Sequence, residues 1–265
     1  MLVIAGDSHA IAIRQGFDAL HSDERHRLVQ KYNDVRIGML QAGFRFMKRF
    51  HKVFDEAIVF NASIANRLEK IGVNAAIQRN DDRTFVFSIG THGLRLYIDP
   101  AWSKFTLIPR SEKLFVSRGA MTQIVRSYNQ NVIRFYDDLL DLGVSFYVLV
   151  SCPMPLAQWE FRQRTFETPN EFATLFETFQ DVAVEMMLGR GVKVLRPPSS
   201  VLDGRFLRKD LQGSKNARDY HGNSKYGEII WRDVLMPELG AGYRANLQWH
   251  PNDSRSSAVP EREAS

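Results

Sequence analysis

The segment from residue 144 to residue 150 is a nearly continuous run of apolar side chains, and it constrains the fold more than any other part of the chain. Such a run is typical of a parallel strand that is buried on both faces of a sheet. It lies between two segments with the apolar periodicity of helices, residues 121–142 and 170–188. This alternation of helix and strand favours an α/β fold, in which helices cover both faces of a parallel sheet.

Shorter apolar segments predict further strands at residues 2–5, 35–40, 84–89 and 192–195. Residues 57–60 could add a hairpin strand. Apolar residues at helical spacing predict further helices at residues 10–20, 62–71 and 226–235. In a parallel sheet the functional groups collect at the carboxyl ends of the strands, so the turns that follow these strands are where we look for chemistry.

The length and composition are those of one globular domain. The chain has 265 residues, and its interior contains no stretch rich in Pro, Gly and Ser that would separate two domains. From Gly240 onward the chain turns polar. We therefore expect residues 1–240 to form the domain and residues 241–265 to form a disordered tail.

The charge and the cysteine content of the sequence limit which partners and which cellular location we expect. The net charge is +5, but 35 Lys and Arg residues are scattered among 30 acidic ones, which argues against a nucleic-acid surface. A basic and aromatic stretch, residues 44–50, is interpreted as an amphipathic helix. The single cysteine, Cys152, can form no intramolecular disulfide. Because neither a secretory signal nor a membrane-spanning run is found, we expect a cytoplasmic protein without membrane partners.

Ser8 lies in the turn Gly6-Asp7-Ser8-His9, between the first predicted strand and the first predicted helix. A hydroxyl at this place is near the positive end of a helix dipole, among backbone N–H groups that could hold an oxyanion. Serine is also a preferred N-cap residue, and the turn alone favours a cap over a nucleophile.

A second polar segment, Asp219-Tyr220-His221-Gly222-Asn223, precedes the last predicted helix. A serine hydroxyl becomes a good nucleophile when a base takes its proton, and histidine is the usual base at neutral pH. The histidine in turn needs a carboxylate that fixes its tautomer, and Asp219 is close enough to His221 in sequence to do so. The alternative is a polar loop in which Asn223 caps the following helix.

Taken together and in this order, these segments resemble blocks of the SGNH, or GDSL-type, hydrolase superfamily. The similar segments, the fourth of which is typical of bacterial members, are residues 6–8, 85–92, 146–153, 203–207 and 219–221. The resemblance spans roughly residues 1–236.

The resemblance implies a three-layer α/β/α sandwich with a parallel, flavodoxin-like sheet of about five strands. It also implies a triad in which Ser8 is the nucleophile, His221 the base and Asp219 the acid. The oxyanion would be held by the backbone N–H groups of Ser8 and Gly43 and by the side chain of His92. The reaction would pass through a serine ester of a small substrate, such as an acetylated sugar, and would use neither a cofactor nor a metal.

Two positions depart from the family pattern. The family usually spaces its acid and base as Asp-x-x-His, but here Arg218 stands at that position and Asp219 is one residue closer, as in related acetyltransferase-like enzymes. The asparagine of the third block is replaced by His92, whose neutral imidazole can donate one hydrogen bond. An ester hydrolase, an O-acyltransferase with the same serine, and a catalytically silent module that binds a small acylated or sugar ligand all remain open.

Overall fold

The computed structural model describes residues 1–109, 112–163, 165–214 and 219–240. The tail expected at residues 241–265 lies outside this range, and so does Arg218. The single domain expected for residues 1–240 stays a prediction. Within the described ranges, no helix is both long enough and apolar enough to cross a membrane.

The strands are β1 (Leu2–Gly6), β2 (Val35–Met39), β3 (His51–Phe54), β4 (Ala57–Phe60), β5 (Ala76–Gln78), β6 (Thr84–Ser88), β7 (Phe105–Thr106), β8 (Leu114–Phe115), β9 (Phe146–Leu149), β10 (Lys193–Leu195), β11 (Leu202–Asp203) and β12 (Phe206–Leu207). The helices are α1 (Ala10–Ala19), α2 (Ser22–Tyr32), α3 (Ala62–Lys70), α4 (Leu94–Ile98), α5 (Arg118–Asp141), α6 (Leu156–Glu160), α7 (Pro169–Leu188), α8 (Ser224–Ile230) and α9 (Met236–Glu238). A π-helical turn, Trp231–Leu235, joins α8 to α9, and 3-10 helices lie at Gly43–Met47, Pro100–Lys104, Ser199–Val201 and Lys209–Leu211.

The central sheet has five parallel strands in the order β10-β9-β6-β1-β2. Numbered by their occurrence along the chain, these strands lie in the order 5-4-3-1-2, which is the doubly wound, flavodoxin-like order. The strands are in register at the sheet centre, where Ile4 pairs with both Ile37 and Val86. The predicted fold class is confirmed.

Alternate residues of β1 enter two apolar clusters, one on each face of the sheet, because neighbouring side chains of a strand point to opposite faces. Val3 and Ala5 pack with residues of α3 and α5 on one face. Leu2 and Ile4 pack with residues of α1 and α8 on the other face, where the unpaired Cys152 is also buried. Two helical layers therefore enclose the sheet.

Residues 44–50 do not form the predicted amphipathic helix. A 3-10 helix ends at Met47, and Lys48 has the extended dihedral angles φ −93° and ψ 155°. Phe46 and Phe50 still bury their rings against each other, with centroids 5.0 Å apart, but Phe50 leads into β3. The i, i+4 spacing of the two aromatic residues thus reflects packing against α5 and not a continuous helix.

The first and last parts of the fold meet where α1 packs on α8. A Cβ atom added to Gly16 would lie 2.1 Å from the backbone of Gly227, and one added to Gly227 would lie 1.9 Å from the Ala12 carbonyl. Only glycine permits helices to approach so closely. This contact places the turn before α1 beside the loop before α8, at the carboxyl edge of the sheet.

Candidate active site

Ser8 leaves β1 at the carboxyl edge of the sheet and is half-buried. The first turn of α1 is organised by its neighbours: the Asp7 carboxylate accepts a hydrogen bond from the His9 N–H at 3.0 Å, and the Ser8 carbonyl accepts one from Ile11 at 3.2 Å. The helix N-cap is His9, and the Ser8 hydroxyl lies close enough to the Tyr220 hydroxyl to lower its pKa, against the larger effect of burial. Among the described contacts, therefore, the Ser8 hydroxyl does not act as a helix cap.

Asp219 and His221 form a hydrogen-bonded pair. The Asp219 carboxylate accepts from His221 Nδ1 at 2.8 Å and from the His221 backbone N–H at 3.0 Å. Burial raises the pKa of Asp219, but hydrogen bonds from His221 and Ser214 outweigh it and lower that pKa below its usual value. The carboxylate is therefore ionised at neutral pH and holds the ring with its other nitrogen, Nε2, turned away.

His221 Nε2 is buried and has no hydrogen-bond partner among the described residues. A buried ring nitrogen of this kind is normally satisfied by a protein group or by a ligand. The expected hydrogen bond between this nitrogen and Ser8 is therefore not among the contacts of the described residues.

The loop that carries the pair is held in place by backbone contacts. The His221 carbonyl accepts from Gly213 at 2.7 Å, and the Leu211 carbonyl accepts from Asn223 at 2.9 Å. The Asn223 side chain caps α8 by accepting from the Tyr226 N–H at 3.0 Å. Helix capping and the Asp219–His221 pair were considered as alternatives from the sequence, and the structure contains both.

Four aromatic rings gather above the turn that carries Ser8. His9 lies 4.6 Å from His92 and 5.1 Å from His221, measured between ring centroids. Tyr220 lies 4.3 Å from His221 and is stacked on His92 at 4.8 Å. The structure thus brings Ser8, His92, Asp219 and His221 together around Tyr220.

His92 follows β6 and is buried, with Nε2 lacking a partner among the described residues. Burial, His221 and Arg162 lower its pKa to about 3, so the imidazole is neutral at pH 7. A neutral imidazole carries one N–H and can donate one hydrogen bond.

Gly43 follows β2 and lies beside Asp7. A Cβ atom added to Gly43 would lie 3.0 Å from Asp7 Oδ2. Gly43, Asp7 and His92 line one cleft together with Gly90 and Asn129. Gly43 and His92 therefore line the same cleft, but neither Ser8 nor His221 is among the residues that line it.

No family model matches the chain, and neither does any curated protein. The chain is similar in structure to an inferred acylhydrolase of Bacteroides fragilis NCTC 9343, with 10% identity and a TM-score of 0.45 over 90% of this chain and 86% of the other. It is also similar to an acetyl xylan esterase, with 12% identity and a TM-score of 0.43 over 87% of this chain and 96% of the other. Because both identities and both TM-scores are low, the chemistry has to be argued from the side chains of the site.

Sequence reasoning missed several residues of the site. Tyr220 was passed over because it stands between the two residues of interest, although its position in Asp-Tyr-His already brings it to the same loop. His9 was given no role from the sequence, but it is buried and both of its ring nitrogens lack partners among the described residues. Burial raises the pKa of Asp7 to about 7, against a smaller effect of its hydrogen bond with His9. No pattern in the sequence around Asp7 predicts that its carboxyl group is buried.

The three histidines do not form a metal centre. Within the part of the chain that the structure describes, no group of three His, Cys, Asp or Glu side chains is arranged to hold a metal ion. Burial, His92 and His221 also lower the pKa of His9 well below its ordinary value, so its ring is neutral at pH 7. What the arrangement offers is an oriented imidazole, a nearby hydroxyl and neutral hydrogen-bond donors.

Proposed function

We propose that the protein is a serine esterase of the SGNH type, which hydrolyses small esters such as acetyl groups on a carbohydrate. The observation that carries the proposal is the state of His221. Its Nδ1 is bound to an ionised carboxylate, while its Nε2 is buried and unpartnered within the described chain, on the loop that touches the Ser8 hydroxyl. This is the arrangement in which an imidazole can accept a proton from serine.

In the proposed reaction the Ser8 hydroxyl donates a hydrogen bond to His221 Nε2. His221 takes the proton as Ser8 Oγ attacks the ester carbonyl, and Asp219 stabilises the imidazolium that forms. The backbone N–H groups of Ser8 and Gly43 and the His92 side chain would hold the oxyanion. The alcohol leaves with the proton from His221, and water, activated by the same ring, then releases the acid and frees Ser8.

One observation favours a second candidate, a catalytically silent module that binds an acylated or sugar ligand. In this structure His221 Nε2 has no hydrogen-bond partner among the described residues, so Ser8 is not paired with the imidazole. A binding module would keep the two groups unpaired when its ligand is bound, whereas an esterase must bring them together.

Turnover of p-nitrophenyl acetate tests the proposal. We expect Ser8→Ala to reduce turnover to the background rate and Asp219→Asn to lower it by orders of magnitude, because loss of the acid favours the wrong tautomer of His221. Ser22→Ala, at the exposed start of α2, is the matched control and should keep wild-type turnover. Full activity in Ser8→Ala, with an unchanged melting temperature, would contradict the proposal.

A further inference from the structure

Arg162 follows α6, beyond the carboxyl end of β9, and its guanidinium is only partly satisfied. Nη1 donates to the Gln158 side-chain oxygen at 2.7 Å and to the Gln158 carbonyl at 3.3 Å. Nε is buried and lacks a hydrogen-bond partner among the described residues. The side chain is therefore anchored at one nitrogen and unsatisfied at another.

No acidic residue of the described chain forms an ion pair with Arg162. Other partly buried arginines are paired: Arg83 binds Asp81, and Arg205 binds Glu177 at 2.6 Å. A guanidinium that is removed from water is normally matched by an anion, because an unpaired charge and an unmade hydrogen bond both oppose burial. The Arg162 side chain is half-buried without such a match.

The charge of Arg162 reaches the candidate site. It contributes to the lowered pKa of His92, after burial and His221, and it also acts on the Tyr220 hydroxyl. Trp159, on the helix before Arg162, packs against the same apolar cluster as Tyr220. Arg162 thus lies close enough to His92 and Tyr220 for its charge to act on both.

We propose that Arg162 binds an anionic group of the ester substrate, a carboxylate or a phosphate, and so makes the site selective for acidic esters. The inference rests on the proposed function, since it places the reacting ester beside Ser8 and the anion beside Arg162. A guanidinium presents its N–H groups as a planar fork that fits the oxygens of either anion. Buried Nε would be satisfied by one of those oxygens.

Three matched acetate esters test this selectivity in buffers free of phosphate: 4-acetoxybenzoate, 4-acetoxyphenyl phosphate and the neutral 4-acetoxybenzamide. We expect the wild type to show a higher kcat/KM for at least one of the two anionic esters than for the amide. Arg162→Gln should remove that preference, with a loss of about 10- to 100-fold confined to the anionic ester and expressed mainly in KM. The ester that suffers the loss identifies carboxylate or phosphate as the anion.

Two further variants distinguish anion binding by Arg162 from a general effect of losing a positive charge. Arg162→Lys keeps the charge and should retain part of the preference. Arg36→Gln removes an equal charge near the amino end of β2, away from the site, and should change nothing. An equal loss of kcat/KM on all three esters in Arg162→Gln would overturn the proposal, because it would mean that Arg162 acts only on His92. A wild type without any preference for the anionic esters would overturn it as well.

The proposal about Arg162 can also be judged if the protein proves not to be an esterase. Calorimetric titration with 4-hydroxybenzoate and with phenyl phosphate reports anion binding without turnover. Binding that is present in the wild type and in Ser8→Ala, and is lost in Arg162→Gln, would support the anion site even if no ester is hydrolysed. Absence of binding of both anions to the wild type would overturn it.

Discussion

The imidazole of His92 is kept neutral by its surroundings, since burial, His221 and Arg162 lower its pKa to about 3. Neutrality matters because a charged imidazole would be costly in a buried site, whereas a neutral one can still donate its single N–H. At this position a neutral donor can replace the asparagine amide that the family pattern would supply.

If His92 donates to the oxyanion, His92→Ala should lower kcat for p-nitrophenyl acetate by about 10²- to 10³-fold, the effect of removing one such donor. His92→Asn should recover much of the loss, because the amide restores an N–H at a similar place. Unchanged turnover in His92→Ala would show that the ring only packs against Tyr220.

Asp7 should make stability depend on pH. Burial raises its pKa from 3.8 to about 7, so the folded protein keeps a proton that the unfolded chain has already released. The free energy of unfolding should therefore fall as pH rises from about 4 through 7, by an amount on the order of 4 kcal/mol from this group.

Asp7→Asn removes the titrating group and should remove this part of the pH dependence, as measured by urea unfolding between pH 4.5 and 8. The exposed Asp203→Asn serves as the control and should follow the wild-type profile. Parallel profiles for the wild type and Asp7→Asn would show that Asp7 is ionised in the folded protein at low pH.

At the scale of elements, the site depends on the approach of α1 to α8. Ser8 precedes α1 and His221 precedes α8, so any separation of the two helices moves the hydroxyl away from the imidazole. Gly16 and Gly227 meet at this contact, where added Cβ atoms would lie about 2 Å from backbone atoms.

Gly16→Ala should therefore destabilise the protein by about 1–3 kcal/mol and lower turnover as well, because a backbone cannot rotate out of the way as a side chain can. Gly119→Ala is the matched control: it lies in the exposed first turn of α5, and its added Cβ would have no neighbour closer than 3.8 Å. It should be neutral or stabilising. Wild-type unfolding free energy in Gly16→Ala would refute the close contact.

The elements that could be predicted from sequence are those with strong apolar patterns. The strand at β1, the buried strand at β9 and the long helices α5 and α7 follow from hydrophobic periodicity. Helix α2 was missed because it buries a single residue, Leu28, and most of its other residues are polar. Strand β3 was missed because Phe46 and Phe50 are four residues apart, a spacing that is typical of one face of a helix.

For the molecule as a whole, the order of the segments that resemble SGNH blocks predicted which of them lie together. The contacts between their side chains depend on tertiary packing. Ser8, His92, Asp219 and His221 were all named from sequence, and the parallel sheet brings them to one edge. Three features could not be predicted: the proximity of Ser8 to Tyr220, the lack of an acidic partner for Arg162 among the described residues, and the buried carboxyl of Asp7. Each depends on the groups that surround a side chain in the folded protein, and residue spacing in the sequence does not predict those groups.

The central claim is that Ser8 is an activated nucleophile, and labelling with a fluorophosphonate tests it most directly, since this probe reacts only with a serine whose proton can be taken by a base. Peptide mapping by mass spectrometry should find one adduct, on Ser8, in the wild type. It should find none in Ser8→Ala and slower labelling in Asp219→Asn. An unlabelled wild-type protein, or an adduct on another serine, would contradict the account.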